Sequence, residues 1–247
     1  MDIKILATGS DGNCVWISNG AISILIDCGL PKTKVEKILL AADIDPTKIE
    51  AIFVTHEHQD HARGLPFADK YKIPVYASEG TLKELGRLET GKILKSFIIL
   101  DAFSTSHLSI APFPVHHDAM EPTGFVIRDQ HEKVSVLMDT GKVDDAMLYA
   151  MSHSHQYVFE CNHDEDMLVN GDYPDTTKAR ILSDIGHLSN QAAAAALAHL
   201  VQGRGERIYL THMSSSNNMP ALAQGAVKKA LRQKGLQAGK HYHLEVF

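Results

Sequence analysis

Short apolar runs broken by polar turn residues fill the first half of the chain. KILAT, CVWIS and AISILID are rich in Ile, Val and Leu and are separated by Gly, Asn and Asp, which predicts three strands. A helix follows from about Pro31 to Ala42, with proline at a favourable first-turn position. Ala51–Thr55 reads as a buried strand, and a polar loop opens at His56. The middle alternates between IPVYA as a strand, Glu79–Leu88 as a helix, and strands at Ser96–Leu100, His107–Ile110 and Pro112–Val115. Gly124–Arg128 and Lys133–Met138 read as a hairpin around Asp129-Gln130-His131.

Helices are predicted later at Val143–Met151, His163–Asn170, about Thr176–Ser183, Ser189–Gln202 and Met219–Lys234. Strands remain at Tyr157–Glu160, Arg207–Thr211 and near His243–Val246. Many short strands with helices clustered late predict an α/β (α+β) fold of two sheets covered by helices. No Pro/Gly/Ser-rich linker and no repeat interrupts the pattern, so one domain over residues 1–247 is expected.

Composition narrows the class. No window holds the ~18 consecutive apolar residues of a membrane helix. The N-terminal MDIKILATGSDGN is too polar after Ala7 to read as a signal peptide. Cys14, Cys28 and Cys161 form an odd set without a CxxC pair, which fits a reducing cytoplasm rather than a disulfide framework. A net charge of −6 argues against coating nucleic acid by bulk charge, though not against a local basic site. Lys228, Lys229, Arg232 and Lys234 concentrate positive charge late in the chain, as a solvated helix face or as such a site. The anomaly is 15 histidines, which brings metal chemistry forward.

The densest cluster is His56-Glu57-His58-Gln59-Asp60-His61, directly after a predicted strand. Its ligand types are too many for one tetrahedral ion to accept from so short a segment, and they suit two adjacent divalent cations. Three further apolar strands end in a ligand type: Pro112–Val115 in His116-His117-Asp118, Val134–Met138 in Asp139-Thr140-Gly141, and Ile208–Thr211 in His212. A carboxylate such as Asp139 can bridge two cations, which an imidazole cannot. Taken singly, Asp139 also reads as a turn-capping residue and His212 as a hydrogen-bonded histidine.

These motifs, in the order ATGSDGN, VTHEHQDH, VHHDA, MDTG, FECNHD, SDIGHLSN and LTHMSSSNN, resemble the metallo-β-lactamase superfamily and within it the YycJ/WalJ-type branch. The resemblance runs from residue 7 to residue 218 and implies a four-layer αββα sandwich with metals at one edge between the sheets. It implies one ion, zinc or manganese, on His56, His58 and His117, a second on Asp60, His61 and His212, and Asp139 bridging them. His116 competes with His117, and the family pattern, with the ligand immediately before Asp-Ala, favours His117.

By similarity to ribonuclease Z-like enzymes, His187 stands near the scissile phosphate; a turn histidine beside a helix cap is the plainer alternative. Ser189 reads as an N-cap whose following amides help hold an anion. Asn190, Ser214 and Asn217 join Ser189 as candidate substrate contacts, and Glu160 and His163 as residues that orient the site. The stretch from His117 to Asp139 is too short for the tRNA-gripping arm of true ribonuclease Z. That from Asp139 to His212 is too short for the inserted domain of the β-CASP nucleases.

The function implied is a dinuclear metal-dependent phosphodiesterase in which Asp60 and His187 carry catalysis and a hydroxide between the metals attacks phosphorus. A 5′-to-3′ DNA exonuclease is the form the family favours. A cyclic-nucleotide phosphodiesterase and a thioester or lactone hydrolase of the glyoxalase II kind are the alternatives. The partners expected are DNA or a nucleotide, with a second copy of the chain as a further candidate and no membrane.

Overall fold

The computed structural model describes residues 1–102 and 106–247. The chain forms two compact units, one of residues 1–112 and 119–131, the other of residues 113–118 and 132–247. The strands fall into two sheets.

The first unit contains β1 (Asp2–Ala7), β2 (Cys14–Ser18), β3 (Ser23–Ile26), α1 (Lys32–Ala41), β4 (Ala51–Phe53), α2 (Gln59–Ala62), α3 (Pro66–Tyr71), β5 (Val75–Ala77), α4 (Glu79–Glu84), β6 (Lys92–Ile93), β7 (Ile98–Ala102), most of β8 (Ser106–Pro114) and β9 (Thr123–Arg128). Strands β1 to β6 form one sheet in sequence order. β1, β2 and β3 pair antiparallel, then β3 to β6 run parallel. Ile24–Ile26 of β3 and the whole of β4 are apolar because they are buried, as strands in a parallel arrangement commonly are. Val35 and Leu39 of α1 and Phe67 and Ala68 of α3 join Leu25, Ile52 and Val54 in this unit's core. β7 and β8 pair antiparallel, with Ile98 opposite Ile110.

The second unit contains β10 (Lys133–Leu137), α5 (Asp145–Met151), β11 (Gln156–Glu160), α6 (Glu165–Asn170), α7 (Asp175–Ile181), α8 (Asn190–Leu200), β12 (Glu206–Thr211), α9 (Pro220–Gln233) and β13 (Tyr242–Val246). Its strands run parallel in the order β13-β12-β11-β10. β10, β11 and β12 are each followed by a helical crossover, the connection parallel neighbours require. α8 begins where expected: Ser189 Oγ accepts from the Ala192 amide at 3.1 Å. The two short strands expected at His107–Ile110 and Pro112–Val115 are one continuous strand, β8. The loop expected at His56 is loop only as far as His58; Asp60 and His61 lie on a single helical turn, α2. The helix expected from His163 starts at Glu165, because Asp164 caps it and His163 pairs with Ser189 in an isolated bridge.

Candidate metal centre

In the first unit the candidate ligands stand at the exit of β4. Thr55 and Asp27 fix that exit: the Thr55 amide donates to Asp27 Oδ1 at 2.7 Å, and the Thr55 hydroxyl donates to Asp27 Oδ2 at 2.9 Å. Asp27 Oδ2 also accepts from His61 Nδ1 at 2.7 Å. A ring whose Nδ1 donates to a carboxylate keeps its lone pair on Nε2, the arrangement of a metal-binding histidine. The Asn13 amide group lies 3.0 Å from His61 Nε2, and the Asn13 backbone amide donates to the Asp60 carbonyl at 2.7 Å. The His56 ring packs against both His58 and His61, with centroids 4.5 Å and 4.1 Å away.

A glycine makes the α2 turn fit. A Cβ on Gly29 would lie 1.6 Å from the Asp60 carbonyl oxygen, so only glycine lets the Cys28–Gly29 segment pass beneath Asp60. Asp27 itself has φ +59, a left-handed backbone that a non-glycine residue adopts at a cost.

In the second unit the candidates stand at the ends of β8, β10, β11 and β12. Asp139 follows β10 with φ +31 and His212 follows β12 with φ +55. Strained backbone at both positions persists because the surroundings over-determine it. His212 Nδ1 lies 2.6 Å from Asp139 Oδ1 and 3.1 Å from Glu160 Oε1. His187 Nδ1 donates to Glu160 Oε1 at 2.7 Å, and its ring centroid lies 5.3 Å from that of His212. Glu160 Oε2 accepts from the amides of Thr140 at 2.9 Å and Leu188 at 3.2 Å. Glu160 is fully buried, and its carboxylate ties the Asp139, His187 and His212 segments together.

His117 is buried, donates from Nδ1 to the Gly186 carbonyl at 3.1 Å, and has Nε2 4.0 Å from Asp139 Oδ2. The neighbouring His116 instead places Nε2 2.7 Å from Asp144 Oδ2, on a half-exposed pair. Both lie just past the end of β8, and their different partners separate the two rings.

Electrostatics follow from this packing. Burial, the largest influence, lowers the His117 pKa and keeps the ring neutral, as a ligand must be. Burial also acts to lower His187, but the Glu160 charge and hydrogen bond, with Asp139 behind them, outweigh it and raise its pKa. Burial would raise Glu160, yet His187 and His212 together hold it below the ordinary carboxylate range.

One ligand atom each from Asp139, Glu160, His187 and His212 lies within 4.8 Å of the others. Two carboxylates this close in a buried place call for positive charge. That charge demand, and the histidine tautomers fixed by Asp27 and by the Gly186 carbonyl, fit divalent cations.

Ser189 Oγ caps α8 and donates to Glu165 Oε1 at 2.7 Å. The Asn190 side chain is fully buried and bonds to Asn218 at 2.9 Å. Ser214 Oγ accepts from the Asn217 amide at 3.1 Å. His163 is buried, with no hydrogen bond to either ring nitrogen. Lys228, Lys229 and Arg232 lie on α9 around a recess of about 440 Å³, whereas Lys234 donates to the Ala198 and Val201 carbonyls and ties down the end of α8.

Asn13 and Asp27 do not stand out in the sequence. Asp27 carries the same signal as Asp139, an apolar run ending in Asp shortly before a turn glycine. Asn13 closes the ATGSDGN motif, and its place beside His61 gives that motif a structural task.

Residues 23–213 match the family model for the beta-lactamase superfamily domain. Exodeoxyribonuclease YycJ of Bacillus anthracis is 36% identical over 249 residues, covering 99% of this chain and 94% of the relative. Exodeoxyribonuclease WalJ of Streptococcus pneumoniae serotype 2 is 35% identical, covering 96% and 90%. Among solved structures, the metallo-beta-lactamase fold protein YhfI of Bacillus subtilis superposes with a TM-score of 0.71 at 16% identity, over 98% of this chain and 94% of that one. The fold class is thus the αββα metallo-β-lactamase class expected from the motifs. A shared fold, near-full-length relatives and buried His/Asp/Glu clusters lead to one conclusion: the chain belongs to the metallo-β-lactamase superfamily, in its YycJ/WalJ branch, and is a metal-dependent hydrolase.

Proposed function

We propose that the chain is a dinuclear phosphodiesterase that degrades DNA from the 5′ end. The observation that carries this reading is the His187–Glu160 pair, buried beside Asp139 and His212. A histidine biased toward its protonated form and held at Nδ1 by a carboxylate presents Nε2–H to a leaving oxygen. Phosphodiester cleavage needs that proton; a thiolate leaving from a thioester does not. The exodeoxyribonuclease relatives, aligned over nearly the whole chain, support DNA as the substrate.

The proposed ligands are His56, His58, Asp60, His61, His117, Asp139 and His212. Two zinc or manganese ions, when bound, supply Lewis acidity that activates water and neutralises phosphate oxygens. The chain's own residues do the rest. Asp27 and the Gly186 carbonyl hold imidazole tautomers, Glu160 orients His187 and His212, and His187 donates the proton. Three free, buried cysteines support a reducing, cytoplasmic setting. Among the described residues no helix is long and apolar enough to cross a membrane.

The test is a substrate panel with manganese- or zinc-loaded protein: linear DNA labelled at the 5′ or the 3′ end, RNA, a cyclic nucleotide and a thioester. Release of label from the 5′ end before the 3′ end is expected. Turnover confined to the cyclic nucleotide or the thioester overturns the proposal.

A further inference from the structure

We infer that Arg180 is a positioning residue that sets His187 against the His117 segment, through Asp118. The inference rests on the phosphodiesterase reading and extends it to a residue outside the ligand motifs. Arg180, on α7, donates from Nε to Asp118 Oδ2 at 2.5 Å and from Nη2 to Asp118 Oδ1 at 2.9 Å. Such a two-bond pair fixes direction as well as distance. Asp118 follows His117, and its Oδ1 lies 3.3 Å from His117 Nε2.

The turn from Arg180 to His187 is rigid. The His187 amide donates to the Ile181 carbonyl at 3.0 Å and the Gly186 amide to the Ser183 carbonyl at 3.0 Å. A Cβ on Gly186 would lie 2.2 Å from the Ile181 oxygen. The far end of this turn meets the same strand exit, since the Asp118 amide donates to the Ile185 carbonyl at 3.1 Å and His117 Nδ1 to the Gly186 carbonyl at 3.1 Å. The Arg180–Asp118 pair is therefore the side-chain clamp at one end of an arch whose other end carries His187. Its half-exposed guanidinium contributes little to fold stability by pairing alone. Its task is to hold the arch in register with His117.

Loss of the clamp loosens His187 without removing it. In manganese-loaded protein, Arg180→Ala is expected to lower kcat on DNA by about tenfold or more, because small misplacement of a reacting group is costly. KM is expected to stay within about twofold, and the number of ions per chain to stay unchanged. A nitrophenyl phosphodiester, whose leaving group needs no proton, is expected to be hydrolysed at nearly the parent rate.

Adding Arg180→Ala to His187→Ala is expected to cost nothing further on DNA, since both act through one imidazole. Arg180→Lys keeps the charge and one bond and is expected to fall between. In metal-free protein, the downfield proton signal of His187 Nδ1–H is expected to exchange faster in Arg180→Ala.

Equal loss on both substrates, a raised KM with kcat retained, loss of ions, unchanged kinetics, or additivity with His187→Ala would each overturn the inference. An unmutated protein inactive on both diesters overturns the underlying phosphodiesterase reading instead, and is distinguished from these outcomes by the control alone.

Discussion

At the residue scale, the chemistry rests on side chains that are themselves held. His187→Ala removes the proposed proton donor and leaves the proposed ligands in place. On DNA it is expected to slow turnover by about 10²–10⁴-fold, and far less on a nitrophenyl diester. Steady-state kinetics on both substrates, with metal content measured alongside, check this. Asp27 acts one layer out. Asp27→Asn keeps the shape but places an amide where His61 Nδ1–H and the Thr55 amide both donate. Metal affinity is expected to fall about 10–100-fold, read by competition with a chromophoric chelator.

These two residues also show what the sequence discloses. The HEHQDH string was legible because so many ligand types crowded into six positions seldom occur except around a metal. Asp27 was not legible, because a lone Asp near a glycine is usually a turn residue. Its partner His61 is 34 positions away, and only the fold joins them.

At the element scale, caps and close approaches explain which boundaries were readable. The start of α8 was readable from Ser189, whose hydroxyl bonds only three residues ahead. The turn α2 was not readable, because QDHA has no helical periodicity. Long-range bonds impose it: the Asp60 carbonyl accepts from the Asn13 amide, and the His61 carbonyl from the Cys28 amide. Gly29→Ala places a methyl group against the Asp60 backbone and is expected to cost about 3 kcal/mol or more, seen as a lowered denaturation midpoint.

Asp144 caps α5, accepting from the Met147 amide at 2.9 Å. Asp144→Ala is expected to cost about 1 kcal/mol at neutral pH. The Met147 amide, then His116, hold its carboxyl below the ordinary aspartate range. The stabilisation is therefore present above the ordinary aspartate pKa and lost as pH falls through the lowered one, so the parent and variant melting curves converge in strong acid.

At the scale of the whole molecule, the superfamily was legible from the order of seven motifs, six at or near a strand end and SDIGHLSN between α7 and α8. The two compact units were not, because no linker marks them. The chain changes unit inside β8, again between Asp118 and Ala119, and a third time after His131, and no linker composition marks any of the three points. Ligands that only the folded chain brings together couple metal binding to stability. Saturating metal at about 1,000 times its dissociation constant is expected to add about 4 kcal/mol, so chelation should lower the melting temperature reversibly.

The proposed site takes two ions rather than one. Elemental analysis of chelated protein re-equilibrated with zinc or manganese, beside Asp60→Ala and Asp139→Ala, tests it most directly. Two ions per chain are expected for the parent, and both variants are expected to be folded by circular dichroism, depleted of metal and inactive. Saturation of the parent at one ion per chain, or full turnover by either variant, would contradict it.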